Sequence, residues 1–561
     1  MIEYVMPDDL SRQLVEQMEQ EGISPNNVTY MCILKSYKNI GPMDKIRRIH
    51  ADIVKQGLLE EDIRNALIDA YSRCGYITEA QKLFEDLLTC NASSWNTLIA
   101  GYAKFGMLTK AQELFDKLPS RDIVSWNCLI EGYAEHGHNM ETLKYFDQMQ
   151  SDSVVKDTIT FISGLKACDS LQFVANGQRI HSEIVRKGFI ERDLFLGNMV
   201  VDMYAKCGSI MDAQQVFDKL LGHDTVSWNA LLGGYVENGK PEKALDSFEK
   251  MNLEDVSADT ITYVHILKAC GNIGAREKGQ DIHAQIVRAG LLDKDVMIGN
   301  ALIDMYAGCG LLSKAQETLD KLPVQDAVSW NTLIAGYAEH EHYDQALSCL
   351  EQMQLERVSP NEITFTSILK SVANIGFTAK GQEIHSELMK KGYLESDLIV
   401  GNTLVDMYAR CGSLHIAQEV LQRIQSREVV TWNALLSGYA QLGECENVFN
   451  IFDRMIGESI KPNGITFISV LKACSRTSLF FRGLTYFGNM SKDYGVLPTL
   501  EHNNCIIHLL NCAGELGKAV EMIYQFRCSD MMVWHSTLYA CKNWGNLKLG
   551  RDIFEHSMSL I

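Results

Sequence analysis

Ten asparagines stand at one place of a recurring string: Asn65, Asn96, Asn127, Asn198, Asn229, Asn300, Asn331, Asn402, Asn433 and Asn504. A primary amide offers a hydrogen-bond donor and an acceptor on one short side chain. Asparagine is a mediocre helix former, so ten returns to one helical site ask for a reason beyond propensity. Each is followed, at the end of its unit, by a second polar residue. In the same order these are Asn91, Asp122, Asp157, Asp224, Asp259, Asp326, Asn361, Glu428, Asn463 and Asp530. Asp122, Asp224 and Asp326 precede apolar-periodic runs, where Asp is a preferred N-cap. Capping accounts for these Asp residues as well as recognition does, and the two roles can coexist.

Other chemistry-bearing residues resolve into structure. His181-Ser182-Glu183 and His385-Ser386-Glu387 spell H-x-E, half of a zinc deaminase signature. The other half needs C-x-x-C, and none of the 16 cysteines has that spacing. His50, His181, His283 and His385 share one place, as do Cys74, Cys207, Cys309 and Cys411, and Cys168, Cys270 and Cys474. Such repetition reads as packing. No P-loop, G-x-G-x-x-G, H-E-x-x-H or G-x-S-x-G is present. The expectation is a protein that is not an enzyme, with no metal and no cofactor.

The elements that carry the asparagines repeat. Trp126, Trp228, Trp330, Trp432 and Trp534 are each 102 residues apart. Four of them open the strings WNCLIEGYAEHG, WNALLGGYVENG, WNTLIAGYAEH and WNALLSGYAQLG; a further copy starts at Trp95. Each block divides again: one runs 225–259, 260–295 and 296–326, which is 35, 36 and 31 residues. About fifteen units fill 27–530, with a partial unit over 1–26 and another over 531–561.

Each unit reads as two helices. Trp228, Leu231, Leu232 and Tyr235 fall on one face. Asn238-Gly239 supplies a residue tolerant of positive φ at the helix end, and Pro241 opens the next helix. The Trp series lies on the Leu and Tyr face and is expected in the core. Small residues recur where the two helices cross: Ala111, Ala213, Ala244, Ala315, Ala346, Ala417 and Ala519. A helix pair of this size cannot bury its face alone, so neighbours must stack. The predicted fold is all-α, a right-handed α-solenoid superhelix whose groove is lined by one place of every unit. The chain of 561 residues is acidic, with net charge −19, which argues against coating nucleic acid through overall charge. No apolar stretch is long enough to span a membrane. The opening MIEYVMPDDL reads as neither signal nor transit peptide.

The units resemble pentatricopeptide repeats of the plant type that alternates P, long and short units. The strings that carry the likeness are VSWNTLIAGYAEH (328–340), FTSILKSVANIG (365–376), GQEIHSEL (381–388) and GNTLVDMYARCGSL (401–414). Residues 531–561 resemble a truncated E-type motif, and the deaminase domain found at the end of some members is not expected. A tetratricopeptide array fits poorly, because its period is uniform.

The resemblance implies single-stranded RNA binding, one base per unit, read by the fifth residue paired with the last. Those are the ten Asn and their ten terminal partners above. Val124, Val226, Val328 and Val430 would wedge against the base faces. Asn with Asp implies uridine, for the units of Asn96, Asn127, Asn198, Asn229, Asn300 and Asn504. Asn with Asn implies cytidine or uridine, for Asn65, Asn331 and Asn433. Asn402 with Glu428 is assigned no base. The long units carry Met31, Ile162, Val264, Thr366 and Ile468 at this place, and four of these five cannot hydrogen-bond a base. The implied ligand is a pyrimidine-rich, uridine-favouring strand in a mitochondrion or chloroplast. The implied role is recognition of a C-to-U editing site, with a cytidine deaminase or editing cofactor protein acting in trans. Alternatives are transcript stabilisation, splicing or translation, and a protein-interaction scaffold without RNA.

Overall fold

The computed structural model describes residues 18, 25–36, 43–86, 91–292, 295–425, 427–477, 479–525 and 531–558. The expected partial unit over 1–26 therefore lies almost wholly outside the described residues. Met1–Ala269 and Cys270–Ile561 form two compact units. Among the described residues all regular structure is α-helical.

The helix pairs follow the sequence period. The block 225–259 folds as Thr225–Glu237 and Pro241–Leu253, and 260–295 carries Thr260–Ile273 and Arg276–Arg288. The block 296–326 carries Val296–Gly308 and Leu312–Lys321. The short unit is short in its second helix, with 10 residues in Leu312–Lys321 against 13 in Pro241–Leu253. The pair Met531–Asn543 and Leu547–Met558 ends the series on the same plan.

Local chemistry explains the breaks. Gly239 takes φ +66°, where a side chain would be strained, and Pro241 is the first residue of the following helix. Asn238 extends its amide back to the Ala205 carbonyl of the preceding unit at 2.7 Å. Trp228, Leu231, Leu232 and Tyr235 are buried, as are Ala244, Phe248 and Met251 of the second helix. Trp126, Trp330, Trp432 and Trp534 are buried too. Trp126 and Trp228 meet Phe115 and Phe217 edge-on at 4.8 and 4.7 Å, so these indoles are core. Ala111, Ala213, Ala244, Ala315, Ala346, Ala417 and Ala519 are all fully buried.

Within each compact unit the first helices form a continuous row. Ala92–Lys104, Ile123–Glu135, Thr158–Leu171, Leu194–Lys206 and Thr225–Glu237 each pack on the next. The same holds for Val296–Gly308, Ala327–Glu339, Glu362–Ile375, Leu398–Arg410 and Val429–Leu442. This is solenoid stacking.

The row is tightest at glycines of the W-N-x-L-x-x-G string. A Cβ on Gly132 would lie 2.4 Å from Ala103, one on Gly234 2.5 Å from Ala205, and one on Gly336 2.6 Å from Ala307. These glycines serve close approach between successive units rather than a turn. Gly234→Ala is therefore expected to destabilise the protein by about 1–3 kcal/mol, the cost of overpacking a filled contact. A lowered midpoint in urea unfolding checks it, since on helix propensity alone the same change would stabilise.

Candidate nucleic-acid interface

The recurring asparagines lie in the row of first helices, each five residues past its helix's N-cap. The structure joins each of six directly to the residue that ends its unit. Asn96 Nδ2 donates to both Asp122 oxygens at 3.1 and 3.3 Å, and Asn127 to both Asp157 oxygens at 3.0 Å. Asn198 donates to Asp224 at 3.1 Å and Asn229 to Asp259 at 3.0 Å. Asn331 donates to Asn361 and Asn433 to Asn463, both at 3.0 Å.

The terminal residue also caps the next helix. Asp122, Asp224 and Asp326 accept the backbone N–H of Ser125, Ser227 and Ser329, each at 2.8 Å. Asp157, Asp259, Asn361 and Asn463 accept from Thr160, Thr262, Thr364 and Thr466 in the same way. One side chain thus starts its own helix and grips the amide of the helix before it. Burial alone would raise the Asp122, Asp224, Asp259 and Asp326 carboxyls. The capped N–H groups and the amides of Asn96, Asn198, Asn229 and Asn300 outweigh it and hold all four below the usual aspartate value.

A third residue belongs to the site and was not singled out from sequence: the hydroxyl at the third place of the following unit. It acts across the unit boundary. Thr160, Thr262 and Thr466 donate to Asn127, Asn229 and Asn433 Oδ1 at 2.7 Å, and Thr364 to Asn331 Oδ1 at 2.6 Å. Ser94 and Ser329 reach Asn65 and Asn300 at 2.6 Å, and Thr431 bonds Asn402. Ser125 and Ser227 turn instead to Asp122 and Asp224. They leave Asn96 Oδ1 and Asn198 Oδ1 buried without a partner. The signal was available: a serine or threonine stands at the third place of the unit following nine of the ten asparagines, while Val533 stands there after Asn504.

The amides sit deeper than an open groove wall. Asn198 is 4% exposed and Asn229 9%, while Asn65, Asn300, Asn402 and Asn504 are half-buried. Asn91 donates to Glu61 at 2.9 Å and meets Asn65 through Ser94. Glu428 caps the helix after Asn402's unit. Asp530 lies outside the described residues. The second-place valines are open: Val124, Val226, Val328 and Val430 are 50–55% exposed. A cleft of about 480 Å³ is lined by Asn96, Asp122, Val124, Asp69 and Arg73. Another of about 550 Å³ is lined by Asn331, Asn361, Val328, Ile363 and Asp304. Polar pair and apolar neighbour therefore share one wall. Met31, Ile162, Val264, Thr366 and Ile468 are half-buried at the same register.

The remaining candidates are structural. Glu183 of the first H-x-E binds Lys156 at 3.0 Å and Lys187 at 3.4 Å. His50, His181, His283 and His385 each bond a tyrosine hydroxyl, at 2.7–3.2 Å, and burial lowers their pKa values. Burial pushes the Cys168 thiol up to about 12, and Cys207 and Cys309 point their thiols at backbone carbonyls. No described helix is long and apolar enough to cross a membrane.

A row of stacked helix pairs, six of whose junctions carry a polar pair, defines a helical-repeat solenoid. The comparisons name the family. Profiles of the PPR repeat family match 121–168, 223–272, 325–374 and 427–476. Those of the PPR repeat match 63–91, 93–123, 198–224 and 402–429, and the pentatricopeptide repeat domain matches 7–58. The chain is 35% identical over 548 residues to pentatricopeptide repeat-containing protein At2g13600 of Arabidopsis thaliana, covering 91% of this chain and 78% of the relative. It is 34% identical to At1g15510, chloroplastic, and 30% to At2g03380, mitochondrial, of the same plant. It covers 58% and 75% of their lengths, with 96% and 98% of its own aligned. Maize PPR10 superposes with TM-score 0.57 at 17% identity over 98% of this chain and 90% of that one. PPR10 in complex with an 18-nt psaJ RNA element gives 0.60, again at 17% identity, over 98% and 82%. The protein belongs to the pentatricopeptide repeat family.

Two measurements test the site. Thr262→Val strands Asn229 Oδ1 and is expected to cost about 1–3 kcal/mol in urea unfolding, while Thr262→Ser stays near wild type. The four depressed carboxyls stabilise the fold above their unfolded value and stop doing so as pH falls through their lower folded values. Replacing Asp122, Asp224, Asp259 and Asp326 together by Asn removes that term. The variant should melt below wild type at neutral pH, and the gap should close below about pH 4.

Proposed function

We propose that the protein binds single-stranded RNA in a plant organelle, with selectivity for a pyrimidine-rich, uridine-favouring strand. The observation that carries this is the Asn–Asp or Asn–Asn hydrogen bond, formed at one register at six junctions and flanked by exposed apolar residues. The bond fixes which atoms of the amide remain to meet a base edge, and Val124, Val226, Val328 or Val430 presents a surface to the base's face. Asn paired with Asp favours uridine, and Asn paired with Asn favours cytidine or uridine. The RNA bound by PPR10 supports the reading at the level of a shared fold. The relatives described as chloroplastic or mitochondrial support the compartment.

We read the alternating units as those of the P, long and short subclass, and the pair Met531–Asn543 and Leu547–Met558 as part of its E-type motif. We read the chain as an RNA-editing specificity factor. It would hold the strand in register so that a cytidine just beyond the last short unit meets a deaminase supplied in trans. The chain supplies recognition and no catalytic step. The chain spans 58% of the chloroplastic relative, so editing is a reading of the whole protein's work.

The test is a titration of fluorescent uridine-rich and purine-only RNAs at two salt concentrations. Uridine-rich RNA should bind more tightly at both. Asn229→Ala and Asn300→Ala should each weaken it by about 1–3 kcal/mol, with unchanged far-UV circular dichroism. Equal affinity for the two RNAs removes base reading, and no binding to either favours a protein scaffold.

A further inference from the structure

The long units lack a reading amide but share another residue. Lys35, Lys166, Lys268, Lys370 and Lys472 occupy their ninth place, the last four 102 residues apart. Each follows the fifth-place Met31, Ile162, Val264, Thr366 or Ile468 by four residues, so the two lie on one helix face. The ninth place faces the reading clefts. Asp69 and Ala100 line the cleft of Asn96, and Asp304 lines that of Asn331 together with Ala335.

All five lysines are exposed, and none forms an ion pair among the described residues. The ninth place of the short units behaves differently. There Asp202 is paired with Lys206 at 2.8 Å, a lysine that also holds Asp169 at 3.2 Å, and Asp406 is paired with Arg410 at 2.9 Å. The acids felt near the lysines are few. Lys166 acts on Glu131, Lys268 and Glu237 both act on His265, and Lys472 and Glu501 both act on Cys505. In a chain of net charge −19, an exposed cation without an ion pair, returned to one register of the first helices once per block, is free to meet an anion.

We propose that the long units are phosphate rungs: the ninth-place ammonium groups bind phosphodiester oxygens of the same strand whose bases the P and short units read. This rests on the RNA-binding reading above. A lysine is a compact charge with three N–H donors and no base preference, so it fixes the strand's path without adding sequence information. The apolar fifth place of four long units fits that division of labour.

The test compares two variants of equal charge. In the first, Lys166, Lys268, Lys370 and Lys472 are changed to Gln. In the second, Lys117, Lys144, Lys250 and Lys321, all on second helices, are changed to Gln. Affinity for uridine-rich RNA is measured by fluorescence anisotropy from about 50 to 200 mM salt, after melting curves confirm both folds. For single strands each neutralised phosphate contributes about 0.7 to the log–log salt slope. The first variant should lose about 3 in slope and keep its uridine-over-purine ratio; the second should keep the wild-type slope. An unchanged slope in the first variant, or an equal loss in the second, overturns the rungs while leaving base reading intact. Wild-type protein that binds neither RNA overturns the underlying reading as well.

Discussion

Everything at the proposed interface depends on one hydrogen bond that crosses a unit boundary. The amide of Asn229 donates to Asp259, and Asp259 also accepts the Thr262 N–H that starts the next helix. The same carboxylate is therefore a fold element and a site element. Its geometry is set by the cap, which cannot move without fraying a helix, and the reading amide inherits that rigidity. Stacking and the proposed recognition would be two consequences of one contact, so the site is preorganised wherever the solenoid is formed. The low carboxyl pKa values are the electrostatic trace of this double use.

Much of the fold was legible because its signals are local and repeated. Trp228, Leu231, Leu232 and Tyr235 describe a helical face within eight residues, and Gly239 and Pro241 mark a break by their backbone constraints alone. The ambiguity over Asp122, Asp224 and Asp326 was real, since capping and amide holding both occur. What escaped notice acts between units. Gly132 and Gly234 look like weak helix residues until Ala103 and Ala205 are seen against them. Ser94 and Thr262 look like ordinary capping-box partners until their hydroxyls are followed back across the boundary to Asn65 and Asn229. In both cases the partners lie about 30 residues apart, beyond any helical period but within the repeat period. The depth of the amides also escaped, because burial in a repeat protein is decided by the neighbouring unit.

The distribution of charge follows the same division. Acidic residues dominate the chain, yet the carboxylates closest to the reading amides are committed. Asp122, Asp157, Asp224 and Asp259 are each engaged by a backbone N–H and an amide. Asp202 and Asp406 are paired with a cation one turn away. A polyanion passing along this face would meet mostly partnered acids, Glu131 excepted, and lysines that form no ion pair among the described residues. Net charge is a poor guide here, because it averages over the whole chain and not over the face that carries the recurring asparagines.

Hydrogen-bond arithmetic sets what each amide still offers. At four of the five junctions with a threonine, Nδ2 has given one proton to the terminal residue and Oδ1 has accepted one from the hydroxyl. One N–H and one lone pair remain, so such an amide meets a base with half its capacity and loses little when empty. At Asn96 and Asn198 the serine has turned away, and a buried Oδ1 is left bare. A bare buried acceptor costs about 1–3 kcal/mol until something donates to it. The ring N–H of uridine is such a donor, and so is the amino group of cytidine. On the proposed reading these two short units would therefore gain more on binding than the threonine-backed ones, although all six carry the same asparagine. Ten identical asparagines need not contribute ten identical terms, and the residue that tells them apart is the hydroxyl behind the amide.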